Sequence, residues 1–204
     1  MKSAPSSIAL SILLSSALSS SSFAFVVFDA GDDYSPTSNP TGVWSYGYST
    51  VANPGIFVLY DTPQFLLPGL HAWDSSALTD NPTVSNNMTS SAISLSTATW
   101  QPYELALHPG RNAEFSIIRF TAPSSGSYDL EGSFRGIDVL GATTDVSVLL
   151  NGSSLFNDEL NLNGNGNTAL YTGSVTMNAG DTLTSAWVTA ATVPCSTPPD
   201  WRRS

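Results

Sequence analysis

The chain has 204 residues and a formal net charge of −10, with six basic residues against sixteen acidic ones. That balance argues against nucleic acid or an anionic membrane as a partner, since both attract Lys and Arg. One cysteine, Cys195, excludes an internal disulfide, so the fold must rest on its apolar core.

Residues 1–24 have the parts of a secretory signal peptide, expected as a short helix: Lys2 for the positive region, Ile8 to Leu18 for an apolar stretch too short to span a bilayer, and Ser22-Phe23-Ala24 for the cleavage site. Removal takes away one cation and no acid. The expected product is a secreted or envelope protein with no integral membrane span in the mature chain, and its ~180 residues suffice for a core.

Helical periodicity is nearly absent from residue 25 onward. Short runs rich in β-branched and aromatic residues predict strands at Phe25–Phe28, Gly42–Tyr48, Ile56–Tyr60 and Ala92–Leu95, with long loops over Asp29–Pro40 and Thr62–Met88. Glu114–Thr121 alternates, with Phe115, Ile117 and Arg119 on one side and Ser116, Ile118 and Phe120 on the other. The turn residues Ala122 to Gly126 then predict a hairpin with Ser127–Arg135. Asp145–Leu150 ends in Asn151-Gly152, a type I′ signal, with Ser153–Phe156 as its return strand. Leu170–Met177 and Thr182-Leu183 follow, separated by Asn178 to Asp181. So many short strands predict an all-β, two-sheet jelly-roll sandwich over residues 25–184.

Several phrases carry a family resemblance. They are Asp33-Tyr34-Ser35, Asn39 through Tyr48, Glu104 through Gly110, Ile118 through Pro123, Gly132-Ser133-Phe134, Gly136-Ile137-Asp138, Thr143 through Val146, Val148 through Gly152 and Ala179 through Leu183. Together they resemble a domain of secreted bacterial proteins that often end in a PEP-CTERM sorting signal. More distantly, the pattern is similar to galactose-binding-like carbohydrate-binding modules. The resemblance implies a jelly roll and an extracellular role; it implies no activity.

Residues 185–204 depart from that family, which would continue with a Gly-rich strand and a Thr-Gly-Leu phrase. Instead the tail carries Pro194, Pro198, Pro199 and Trp201-Arg202-Arg203. Reading its codons one base earlier permits much of the family pattern. We therefore expect that a frameshift has replaced the last strand, leaving an unpaired sheet edge. An unbroken frame in freshly sequenced DNA would overturn that reading.

Catalysis finds little support. There are two histidines, His71 and His108, and no Gly-x-Ser-x-Gly elbow. Asp138 and Asp145 flank one loop and are read as caps. No enzyme is expected. Asp29, Asp32 and Asp33 form an acidic loop that would suit a structural calcium. Arg119, a charge in an apolar strand, is expected to pair with an acid such as Asp138 or Glu131 if buried. Sugar rings stack on aromatic faces while amides bond their hydroxyls. On that chemistry the candidate carbohydrate site is Trp73, Trp100 and Tyr46 with Asn163 and Asn165. Trp73 is expected to be exposed and Trp44 to sit in the core. The expected function is noncatalytic binding of extracellular polysaccharide, or adhesion. A structural surface protein is the alternative, and a glycan-active hydrolase comes third.

Overall fold

Alternation along β1 (Trp44–Thr50) sends Tyr46 and Tyr48 to one face and Gly47 and Ser49 to the other. The same alternation along β9 (Phe115–Thr121) buries Ser116, Ile118 and Phe120 on the face that Tyr46 shares. The structure, a computed structural model, describes residues 26–50, 53–78, 82–139, 143–161 and 168–189. The expected signal segment, Asn163, Asn165 and residues 190–204 lie outside the described residues.

Among the described residues every regular element is a β-strand. A six-stranded antiparallel sheet contains β1, β2 (Asn53–Leu59), β9, β11 (Thr143–Leu150), β12 (Ser153–Asn161) and β14 (Thr182–Thr189), in the order β12-β11-β14-β9-β1-β2. Facing it lie a four-stranded sheet, β3 (Thr62–Leu67), β4 (Leu70–Asp74), β5 (Thr83–Asn87) and β8 (Leu105–His108), and a ribbon of β10 (Gly126–Arg135) with β13 (Thr168–Met177). The result is a sandwich-like arrangement. Tyr46, Tyr48 and Ile118 pack on Trp73, Val84 and Leu107 of the four-stranded sheet. Phe120 and Leu183 meet Tyr128, Val175 and Met177 of the ribbon, while Val146 and Leu160 meet Phe134 and Ala169. Burying each large side chain in this way contributes about 2 kcal/mol.

The four-stranded sheet is covered on its other face as well. There Leu70 and Ala106 pack under Trp100, which belongs to the short hairpin β6 (Ile93–Leu95) and β7 (Ala98–Trp100). Glu104 and Arg135 pin the following loop to the ribbon. Arg135 Nη2 lies 2.9 and 2.7 Å from the two carboxylate oxygens, and its Nε donates to Oε1 at 3.1 Å. Asn39 ties the preceding loop to the sheet, donating to Tyr46 O and Tyr60 O and accepting from Tyr46 N.

The Asn151-Gly152 turn is as expected. Both residues have positive φ, 50° and 84°, and β11 pairs back on β12. Four other expectations are corrected. Of the strand expected over Phe25–Phe28, the described residues 26–28 form none. The stretch expected as a loop over Thr62–Met88 contains β3, β4 and β5; the sequence hides β5 because three of its four buried positions are the polar Ser85, Asn86 and Asn87, which show no apolar alternation. The expected β9–β10 hairpin does not form. Both edges of β9 are taken by β1 and β14, and β10 pairs with β13 along its whole length. Residues 122–126 are thus a crossing between layers, bonded to the neighbouring crossing at 178–181 through Ala122 N to Asp181 O and Gly180 N to Ala122 O. The strand expected to end at Leu183 runs to Thr189, deep in the six-stranded sheet between β11 and β9.

The core phenols make the fold sensitive to alkali. Burial pushes the pKa values of Tyr34, Tyr46 and Tyr60 well above the ordinary phenol value, near 10. Their native form binds protons that the unfolded form releases, so this stability is complete below about pH 10 and is lost as pH rises further. The expected result is one cooperative step above pH ~10 in which tyrosinate absorbance at 295 nm rises as the far-ultraviolet dichroism collapses. Ionisation of these phenols with the dichroism intact would count against their burial.

Candidate functional site

The expected sugar platform is buried. Tyr46 is fully enclosed on the inner face of β1, and Trp73 is only 5% exposed, its Nε1 donating to Ser35 O at 2.8 Å. Trp100 is 8% exposed, with Nε1 donating to Ser85 Oγ at 3.1 Å. No ring of the three offers a free face, because each fills a gap between layers and the two indole N–H groups are satisfied inside. The expected exposure of Trp73 is therefore corrected. Trp44, expected in the core, is partly buried and packs at 5.3 Å from Phe120, with Nε1 donating to Asp33 Oδ2 at 3.0 Å.

The acidic loop is spent locally. Asp29 Oδ1 accepts from Gly31 N and Asp32 N, and Asp33 Oδ2 accepts from Asp29 N and the Trp44 indole. Asp29, Asp32 and Asp33 do not converge, and among the described residues no three carboxylate, imidazole or thiol groups gather as a metal would need. The calcium expectation thus has no geometry behind it. Among the described residues, too, no helix is long and apolar enough to cross a membrane.

A different site emerges on the outer face of the six-stranded sheet. Because alternation turns Ile118 and Phe120 inward, it turns Phe115, Ile117 and Arg119 outward. Register sets Arg119 beside Thr184 of β14 and Ser45 of β1, and Thr184 beside Leu149 of β11. Phe115, Ile117, Arg119, Leu149 and Thr184 line a groove of about 390 Å³ with Ser49, Ser147 and Thr182, bounded by Gly55 at one side and Asn151-Gly152 at another. Although they face away from the core, Ile117, Ser49, Ser147 and Thr184 are all buried. The face is therefore concave.

Arg119 dominates the electrostatics of this groove. Its Cζ lies 3.9 Å from the centroid of the Phe57 ring, within cation–π range. Gly47 makes that arrangement possible: a Cβ there would come within 2.7 Å of the Phe57 ring and still closer to Val58 O. The absent side chain lets Phe57 lie across β1 toward Arg119. The Arg119 Nε is buried without a hydrogen-bond partner, and the described residues include no carboxylate paired with the guanidinium. The expected pairing with Asp138 or Glu131 is thus corrected. Asp138 instead accepts from Thr97 Oγ1 at 3.0 Å, and Glu131 lies on the ribbon β10. Desolvation pushes the pKa of Arg119 down from its ordinary value. A guanidinium remains charged through such shifts, so the groove holds a cation with an unfilled bonding capacity.

Chemically, the groove combines one planar cation, an aromatic edge, hydroxyls of Ser49, Ser147, Thr182 and Thr184, and the apolar Ile117 and Leu149. Among the described residues neither an acid nor a histidine lines it. The sequence carried one signal of this site, a charge amid apolar residues in β9. The outward period-2 register of Arg119 with Ile117 was legible; the role of Gly47 depends on a strand distant in sequence. No protein-family model and no curated protein matches the chain.

Proposed function

We propose that this chain is a noncatalytic extracellular module, a sandwich of jelly-roll type, that binds carbohydrate through the groove on the outer face of its six-stranded sheet. The observation that carries the reading is the Arg119 guanidinium, stacked on Phe57 and unpaired within a concave, hydroxyl-lined surface. Such a surface meets the two needs of sugar recognition: apolar area for the ring and directed bonds for its hydroxyls. Hydrolysis is disfavoured, because a glycosidase needs two carboxylates across the bond and among the described residues no acid lines the groove. The resemblance to secreted PEP-CTERM-associated domains is consistent with work at the envelope or matrix.

A structural surface protein remains the second reading, favoured by one observation. The consecutive strands β2 and β3, each at the edge of its sheet, expose Ile56, Val58 and Leu59 and then Phe65 and Leu66. Exposed apolar edges are templates for association.

The purified, cooperatively melting protein on a glycan array tests both. Specific retention on a subset of glycans, unchanged by a calcium chelator, is the expected result. A blank array from folded protein, with concentration-dependent association in sedimentation, would transfer the case to the structural reading.

A further inference from the structure

Resting on the reading of the groove as a carbohydrate site, we propose that its ligand is an acidic glycan, one whose uronate carboxylates are spaced among neutral sugars, with Arg119 binding the carboxylate. Two features of the groove select this chemistry. A partly buried guanidinium without a counter-ion is costly, and a carboxylate removes that cost through a charge-assisted, fork-to-fork pair. The Phe57 ring, 3.9 Å from Cζ, holds the guanidinium at one place in the groove, where its planar fork matches a planar carboxylate. The hydroxyls of Ser49, Ser147, Thr182 and Thr184 line the same groove and match a ring bearing several hydroxyls.

Spacing follows from the charge of the whole chain. With a formal net charge of −10, the protein repels a dense polyanion along its length. Screening confines that repulsion to about 8 Å at physiological ionic strength, so an isolated carboxylate seated on Arg119 gains the local attraction and meets little of the general field. Sulfated polymers and fully ionised polyuronates should bind less well than sparsely charged ones.

Partly methyl-esterified polygalacturonate, its fully esterified form and its fully saponified form are the probes, with affinity electrophoresis of the full chain as readout. The expected order is tightest on the partly esterified polymer, weaker on the saponified one, and about 30-fold weaker on the full ester, the loss of one charge-assisted contact. This comparison needs no variant. Arg119→Gln should abolish the difference between ester and acid while Arg119→Lys retains part of it, with melting curves confirming that each is folded. Equal binding of full ester and partial acid overturns the uronate assignment and leaves a neutral-glycan reading standing. Binding to neutral glycans on the array, with none to any of the three polymers, does the same. Silence on both the array and the polymers overturns the carbohydrate reading as well.

Discussion

Replacing Asn87 by leucine is expected to destabilise the protein by about 4 kcal/mol, lowering the melting temperature by roughly 8–16 °C. Asn87 is fully buried at the end of β5 and its amide serves two loop segments. Nδ2 donates to Ser91 O at 2.7 Å and Gln101 O at 2.9 Å, while Oδ1 accepts from Thr89 N at 3.0 Å and Thr89 Oγ1 at 2.8 Å. A leucine of similar volume would keep the packing and strand those backbone groups, each at a cost of about 1–3 kcal/mol when buried. Asn87→Asp keeps the acceptor but sets a buried carboxylate oxygen against Ser91 O and Gln101 O, so at neutral pH it should destabilise at least as much as leucine. Thermal melts by circular dichroism decide: a leucine variant melting within about 2 °C of the parent would show that water reaches those groups.

Trp73→Ala should cost about 4 kcal/mol by creating a cavity between the two layers. The ring sits in a cluster with Tyr34, Tyr46, Tyr48, Tyr60 and Val84, and its indole N–H is anchored on Ser35 O. Deleting it removes both the packing and the anchor for the Ser35 loop. If the fold survives, glycan binding by the folded fraction should equal that of the parent, because Trp73 lies on the opposite side of the six-stranded sheet from Arg119. Loss of binding without loss of stability would restore Trp73 as a sugar platform and remove the groove from consideration. Equilibrium denaturation together with array binding on the same sample separates the two outcomes.

The contrast between Trp73 and Arg119 shows why the site was only partly legible in the sequence. A tryptophan beside a loop reads as displayed, and an arginine inside an apolar strand reads as a buried ion pair. Local pattern supplied the strand in both cases. What it lacked was knowledge of the neighbours. Trp73 meets the loop at Ser35 and the phenols of β1, while Arg119 finds the ring of Phe57 where an acid was expected.

Residue order was enough to specify the all-β character of the chain, the alternation of β1 and β9 and the Asn151-Gly152 turn. Each depends on interactions within a few residues: period-2 exposure of side chains, or the positive φ that Asn and Gly tolerate. Tertiary structure alone decided which strands are neighbours. A strand's alternation specifies its two faces and says nothing of its two edges, whose hydrogen bonds are the same backbone groups everywhere. Thus β9 could not pair with β10 once β1 and β14 had taken both of its edges, and β10 found β13 instead. The groove inherits that decision. It exists because Arg119, Thr184, Leu149 and Phe57, from four strands far apart in the chain, were brought to one concave face by edge pairing.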